Sequence, residues 1–287
     1  MKDYFGYKGK TVVVTGASSG MGKAAAEMLV DLGAEVYALS RRRPDIEGLK
    51  GFVSTDLSSK ESIDAAFDAL PGHIDSFFGI AGASGLHDDF LTTVKIDLLS
   101  NKYITEKYLT DRMTRGGSIA YMTSTAGNGW ELDDNKKHVI PVVEKEGWEE
   151  PINAIRESAL ANLPGNLGYS FSKLAMNYLV AKYQADFAPK GIRVNAVLPG
   201  STDTGLTDDF AEMIGGLDNL LEFTGHAGRL ATPEEMAAPI VFINSDMASY
   251  VSGDYLIADY GFSAEISAGI TENPTAVTID LLLQMFA

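Results

Sequence analysis

Residues 11–22 read Thr11-Val12-Val13-Val14-Thr15-Gly16-Ala17-Ser18-Ser19-Gly20-Met21-Gly22, and an alanine-rich stretch from Lys23 to Leu32 follows directly. The β-branched run predicts a strand and the alanines a helix. Between them, glycines spaced G-x-x-x-G-x-G permit a tight turn and let backbone N–H groups approach a ligand closely, where the helix dipole favours negative charge. A strand, a glycine turn and a helix in this order suit a pyrophosphate. The spacing differs from G-x-G-x-x-G, so the flanking strand and helix carry more weight than the glycines alone. Gly16, Ser18, Ser19, Gly20 and Met21 are the candidate contacts.

Working outward, the alternation continues. Glu35 to Leu39, Gly51 to Ser54, Ile74 to Ile80, Ser118 to Met122, Ile192 to Leu198 and Tyr255 to Ala258 read as strands; helices are predicted near Lys60 to Leu70, Asp89 to Met113, Tyr169 to Phe187 and Pro233 to Ile243. Seven strands separated by helices predict a single α/β domain over 1–287, a doubly wound, parallel seven-stranded sheet of Rossmann-like type. Ligands of such sheets bind at the carboxyl ends of the strands. Three stretches exceed ordinary connections: an insertion at about 126–168, a loop at about 200–232 and a tail at 262–287. The insertion carries Trp130, Val139, Ile140, Val142, Val143, Trp148, Ile152, Ile155 and Leu160, and the loop carries Leu206, Phe210, Met213, Ile214 and Phe223. Two apolar covers over one crevice imply a bulky hydrophobic substrate. Burial of the insertion against a second subunit or its own helices is an equal alternative.

Composition excludes several classes. With 45% hydrophobic and 22% charged residues in 287, there is material for a large core. A net charge of −16 argues against a nucleic-acid partner. The chain has no cysteine, which excludes disulfides and thiolate chemistry, and its four scattered histidines argue against a metal centre. No run approaches the roughly 18 apolar residues that span a bilayer, and the N-terminus lacks a signal-type apolar stretch. A cytoplasmic protein with no membrane partner is expected.

The second strand ends Ala38-Leu39-Ser40-Arg41-Arg42-Arg43. An acidic residue there would accept a hydrogen bond from a ribose 2′-hydroxyl. A hydroxyl followed by guanidinium groups suits a 2′-phosphate instead, so Ser40, Arg41 and Arg42 favour NADP(H), with NAD(H) the alternative and a solvated basic loop the plain structural explanation.

Tyr-x-x-x-Lys places a phenol and an ammonium on one helix face, where the cation lowers the cost of forming phenolate. The pattern occurs four times, at Tyr4/Lys8, Tyr103/Lys107, Tyr169/Lys173 and Tyr178/Lys182, so geometry must choose. Helices of such a sheet begin at the carboxyl edge of the strands. Tyr169 opens its helix, whereas Tyr178 lies nine residues on, about 13 Å down the axis. Tyr103 falls in mid-helix, and Tyr4 precedes the sheet. Ser124, at the carboxyl end of the strand Ser118 to Met122, is placed to hold a substrate oxygen; as a plain structural residue it would cap the loop.

Taken together, Thr15 to Gly22, Asp56 in Thr55-Asp56-Leu57, Ala81-Gly82, Ser124, Tyr169/Lys173 and Pro199-Gly200 resemble the short-chain dehydrogenase/reductase superfamily over roughly residues 8 to 261. Gly165-Asn166-Leu167-Gly168-Tyr169, the insertion before it and Gly228 to Met236 are most similar to the 3α-hydroxysteroid dehydrogenase/carbonyl reductase group. The resemblance implies an oxidoreductase moving a hydride between NADP(H) and a carbonyl or secondary alcohol, such as a ketosteroid or hydroxysteroid, and a homodimer or homotetramer. It implies Tyr169 as acid and base, Lys173 as its partner and a ribose ligand, and Ser124 as the group orienting the carbonyl. It places Asp56 and Leu57 at adenine, Ala81 and Gly82 at the adenosine ribose, and Pro199, Gly200, Thr202 and Thr204 near the nicotinamide. Two departures stand out. Asp97 occupies the position where the family usually has asparagine, leaving its catalytic role open, and Gly79-Ile80-Ala81-Gly82 replaces the usual Asn-Asn-Ala-Gly. The variant with tyrosine seven residues before the lysine is disfavoured, because that position is Asn166. Rival expectations are an NAD(H)-dependent enzyme for small carbonyls, a nucleotide-sensing protein of weak activity, and an isomerase or dehydratase using the same crevice.

Overall fold

The β-branched run becomes the middle of the sheet. In the computed structural model, which describes residues 3–272 and 278–286, β1 (Thr11–Thr15) pairs with β2 (Glu35–Ser40) on one side and β4 (Ser76–Gly79) on the other. With β3 (Gly51–Ser54), β5 (Ser118–Met122), β6 (Arg193–Pro199) and β7 (Tyr255–Ala258), the order is β3-β2-β1-β4-β5-β6-β7, every pairing parallel. Alternate side chains feed opposite faces: Val13 enters one core layer, Val12 and Val14 the other.

The helices, in chain order, are α1 (Gly20–Asp31), α2 (Lys60–Asp68), α3 (90–112), α4 (Asp133–Val143), α5 (Glu149–Arg156), α6 (Gly165–Phe187), α7 (Thr207–Met213), α8 (Leu217–Glu222), α9 (Pro233–Ile243), α10 (Phe262–Ser267) and α11 (Ile279–Met285). One face of the sheet carries α1 and α9, with Ala24, Ala25, Leu29, Ala237 and Ile240 buried between them and the strands. The other carries α2, α3 and α6. The helix at 90–112 is not uniform: Lys95–Leu99 and Thr105–Leu109 wind as π-helix.

Three expectations shift. The strand expected from Ile74 to Ile80 is ladder-paired only over Ser76–Gly79. The helix expected to open at Tyr169 begins at Gly165, so Tyr169 lies in its second turn. The insertion, unresolved into elements by its sequence, contains α4 and α5, and Val139, Val142, Val143, Trp148, Ile152, Ile155 and Leu160 join the core layer of α3 and α6. Its apolar residues are therefore spent on the chain's own helices and do not form a second cover over the crevice. The tail docks back on this insertion: the Ile279 N–H donates to Asn135 Oδ1 at 2.9 Å, and His138 Nε2 meets Asp280 Oδ1 at 2.7 Å. Residues 273–277 and 287 of the expected tail, and Met1 and Lys2 of the expected domain, lie outside the described residues.

Candidate active site

The turn after β1 is laced to the end of β4. Thr15 Oγ1 accepts from the Ile80 and Ala81 N–H groups at 3.0 and 3.2 Å. Gly16 has φ +73°, and a Cβ there would stand 2.7 Å from Ala81 Cα, so only glycine fits. Ser19 caps α1 without a side-chain hydrogen bond, and no acid occupies the first turn. The leading N–H groups of α1 thus lack a side-chain cap and face the open end, a donor set that fits a pyrophosphate. The opposite wall comes from β6: the Thr204 side chain lies 3.4 Å from where a Cβ of Gly20 would be. That wall is held by a bridge between Thr202 and Ala231 and by the Thr204 N–H donating to Thr207 Oγ1 at 2.7 Å. Pro199 ends β6, and Gly200 packs closely against Asp259.

At the end of β2, Ser40 Oγ donates to the Arg42 carbonyl at 2.7 Å. Its proton is thereby committed to its own turn, which takes Ser40 out of the expected phosphate donors. Arg41 and Arg42 are exposed and form no salt bridge among the described residues, while Arg43 lies over the Phe52 ring at 5.8 Å. Asp56 is exposed and accepts from the Ser58 N–H and Oγ at 2.9 and 2.7 Å; Leu57 is buried.

The chemistry-bearing side chains converge one strand further on. The start of α6 presses against the chain before α3 so closely that a Cβ on Gly168 would sit 2.9 Å from the Phe90 carbonyl oxygen. This contact seats Tyr169, half-buried, and Lys173, 4% exposed. Lys173 Nζ donates to the Met122 carbonyl at 3.4 Å, stands 3.9 Å from Asp97 Oδ2, and lies 5.0 Å from the Tyr169 ring centroid. Asp97 is buried in the first π-segment of α3, and its Oδ1 accepts from the Ala83 N–H at 2.7 Å. A Cβ on Gly82 would stand 3.6 Å from Asp97 Oδ1 and 3.7 Å from Lys173 Nζ, so the pair lies directly beneath that backbone. Burial pushes the Asp97 carboxyl up to about 6, against the opposing pull of Lys173. Ser124 follows β5 in extended backbone; its Oγ accepts from the Ala126 N–H at 3.1 Å, which leaves the O–H free to donate elsewhere. Asn177 Nδ2 donates to the Gly127 carbonyl at 3.0 Å and ties this loop to α6.

Sequence reasoning missed three participants. Phe210 of α7 meets the Tyr169 ring edge-on, centroids 5.2 Å apart. Ser84 Oγ donates to Asp209 Oδ2 at 2.5 Å, and His87 Nε2 stands 3.6 Å from Asp209 Oδ1. Phe210 stood among the apolar loop residues without a stated partner; nothing local connects Ser84 with a carboxylate 125 residues away. Among the described residues, no group of His, Asp or Glu is placed to hold a metal, and no helix is long and apolar enough to cross a membrane.

The sequence matches the family described as short chain dehydrogenase over residues 10–132, and that described as Enoyl-(Acyl carrier protein) reductase over 135–263. It is 30% identical over 259 residues to the coniferyl-alcohol dehydrogenase of a Pseudomonas species, covering 89% of this chain and 97% of that one. It is 29% identical to the 3-alpha-hydroxysteroid dehydrogenase/carbonyl reductase of Comamonas testosteroni, covering 88% and 96%. The crystal structure of a 3-alpha-hydroxysteroid dehydrogenase from a Pseudomonas species, complexed with NADH, superposes with a TM-score of 0.74 at 25% identity, over 90% of this chain and 98% of that one.

Proposed function

Because the chain belongs to the short-chain dehydrogenase/reductase superfamily of oxidoreductases, we propose that it interconverts a secondary alcohol and a carbonyl with NADP(H), on a bulky, hydrophobic, alicyclic substrate such as a hydroxysteroid or ketosteroid. One observation carries this: the buried Lys173 ammonium lies beneath the Tyr169 ring, at the edge where the glycine turn and uncapped α1 open. Gly16 to Met21 and the α1 N-terminus hold the pyrophosphate, Arg41 and Arg42 the 2′-phosphate, and Ala81, Gly82, Pro199, Gly200, Thr202 and Thr204 the remaining contacts. When bound, the nicotinamide gives or takes the hydride. Tyr169 donates its proton to the carbonyl oxygen in reduction and takes it back in oxidation. Lys173 stabilises the phenolate left behind, and the free Ser124 O–H donates to the same substrate oxygen. Phe210 covers Tyr169 and excludes water. The preference for a large substrate rests on this apolar cover alone, since the insertion is occupied elsewhere. A homodimer or homotetramer fits the exposed Phe242, Met247, Tyr250, Ile257 and Tyr260 around α9 and β7.

The test is a graded panel of secondary alcohols and ketones, small to steroid-sized, with each coenzyme, followed at the nicotinamide absorbance band. Turnover with NADP(H), best on large alicyclic compounds, is expected. Preference for NAD(H) and small alcohols supports the rival dehydrogenase, conversion without net absorbance change an isomerase or dehydratase, and coenzyme binding without turnover a sensing role.

A further inference from the structure

Asp97 is a carboxylate in an expensive place. Its side chain is wholly buried, and one oxygen is satisfied by the Ala83 N–H, but Oδ2 has no hydrogen-bond partner. The facing cation, Lys173 Nζ, stands 3.9 Å away, beyond hydrogen-bond reach, and also serves the Met122 carbonyl of β5. Asp88, from the chain before α3, adds a weaker negative influence, and the phenol of Tyr169 lies on the far side of the ammonium. Desolvating a charge for one N–H and a non-contacting cation is a poor exchange for stability alone. An apolar or amide side chain in that volume would cost less.

What the carboxylate does change is the field of Lys173. A lone ammonium acts on Tyr169 as a point charge, whereas an ammonium 3.9 Å from a carboxylate acts more nearly as a dipole, whose influence falls off faster. We propose that Asp97 is a positioning residue acting through Lys173: it holds the ammonium beneath Gly82 and offsets part of its pull on Tyr169, so that proton transfer at the phenol runs at a higher pH than Lys173 alone would set. This rests on Tyr169 being the acid–base group. The same burial that raises the carboxyl toward neutrality makes the offset a graded one, weakening as the medium becomes acid.

Asp97→Asn keeps the shape and the acceptor for the Ala83 N–H while deleting the charge. In alcohol oxidation, the rising limb of the pH profile of kcat/KM is expected to move down by about one pH unit, the lower end of what an opposite charge at this range does. A second readout needs no turnover: the phenolate absorbance titration of the coenzyme-free protein, taken as the difference from Tyr169→Phe, is expected to move the same way. A shifted titration in a protein that turns over nothing sustains the inference while overturning the proposed function. Unshifted midpoints in an active enzyme overturn the inference alone. Should Asp97→Asn fail to fold, thermal unfolding of Lys173→Met and the double variant decides. Recovery in the double variant of at least half the loss in Lys173→Met shows that the two charges are coupled; no recovery overturns it.

Discussion

Two of the four Tyr-x-x-x-Lys pairs show how differently the same spacing can be used. At Tyr103 and Lys107 every donor is spent. Lys107 Nζ donates to Tyr103 Oη at 2.7 Å, Tyr103 donates to Asp64 at 2.8 Å, and the same carboxylate takes Lys107 at 2.9 Å, Tyr108 at 2.5 Å and Lys60 at 2.7 Å. At Tyr169 and Lys173 no bond joins the phenol to the ammonium; they meet ring to cation at 5.0 Å, and the lysine side chain is 6% exposed where that of Lys107 is 44%. Tyr178 and Lys182 resemble the first case, both closing on Glu144. The better-bonded pair is the structural one. A reacting pair has to leave a proton and a charge available, so incompleteness, not hydrogen-bond count, marks it.

The comparison breaks most visibly at the phenols. Tyr169→Phe is expected to lower kcat by about 10²–10⁴-fold, the worth of a positioned proton donor, with coenzyme affinity little changed, whereas Tyr103→Phe should stay within about twofold of the parent. Steady-state kinetics with a coenzyme fluorescence titration checks this; an inactive Tyr103→Phe beside an active Tyr169→Phe would reverse the assignment.

Next in size is Asp64, whose carboxyl is held well below its ordinary value by Lys60, Tyr108, Lys107 and Tyr103, against the cost of burial. A depressed folded-state value means stability that is complete above the unfolded value near 4 and lost as pH falls below it. Asp64→Asn should therefore cost about 1–2 kcal/mol, constant from neutral pH to about pH 4 and vanishing in stronger acid, as measured by urea unfolding. A gap that instead closes between pH 8 and pH 6 would point to another group. The smallest effect is at Arg41, a cation with unspent donors on the coenzyme side. Arg41→Ala should weaken NADP(H) about tenfold, roughly 1.4 kcal/mol, and NAD(H) hardly at all; equal losses would return the arginines to solvent.

The sheet was legible in the sequence because its signals are local. Three valines flanked by threonines and a glycine turn announce β1 whatever surrounds them. The start of α6 was not, because Gly165 and Gly168 are poor helix formers that the tertiary structure selects for close backbone approach to Asp88 and Phe90. The insertion likewise shows apolar residues without a periodicity that says what they face; only its packing on α3 and α6 does. At the candidate site, the placement of Tyr169, Lys173 and Ser124 followed from the edge at which strands end. Ser40 read as a donor because a sequence does not show that its hydroxyl turns back to Arg42. Asp209 and Phe210 reach the site from a loop far along the chain, which no spacing rule encodes.

The π-turns of α3 give this helix an unusual response to changes in length. Each wide turn accommodates one residue more than regular winding. Removing a single residue between Lys95 and Leu99 would let the helix rewind regularly, but everything beyond would then turn by about 100° relative to everything before. Asn101, which abuts Gly79 in the central sheet, and Tyr103, which anchors the Asp64 cluster, would be carried off their partners. For this segment an insertion or deletion acts as a rotation before it acts as a shortening, so conservative changes of residue type should be tolerated where a change of one in length is not.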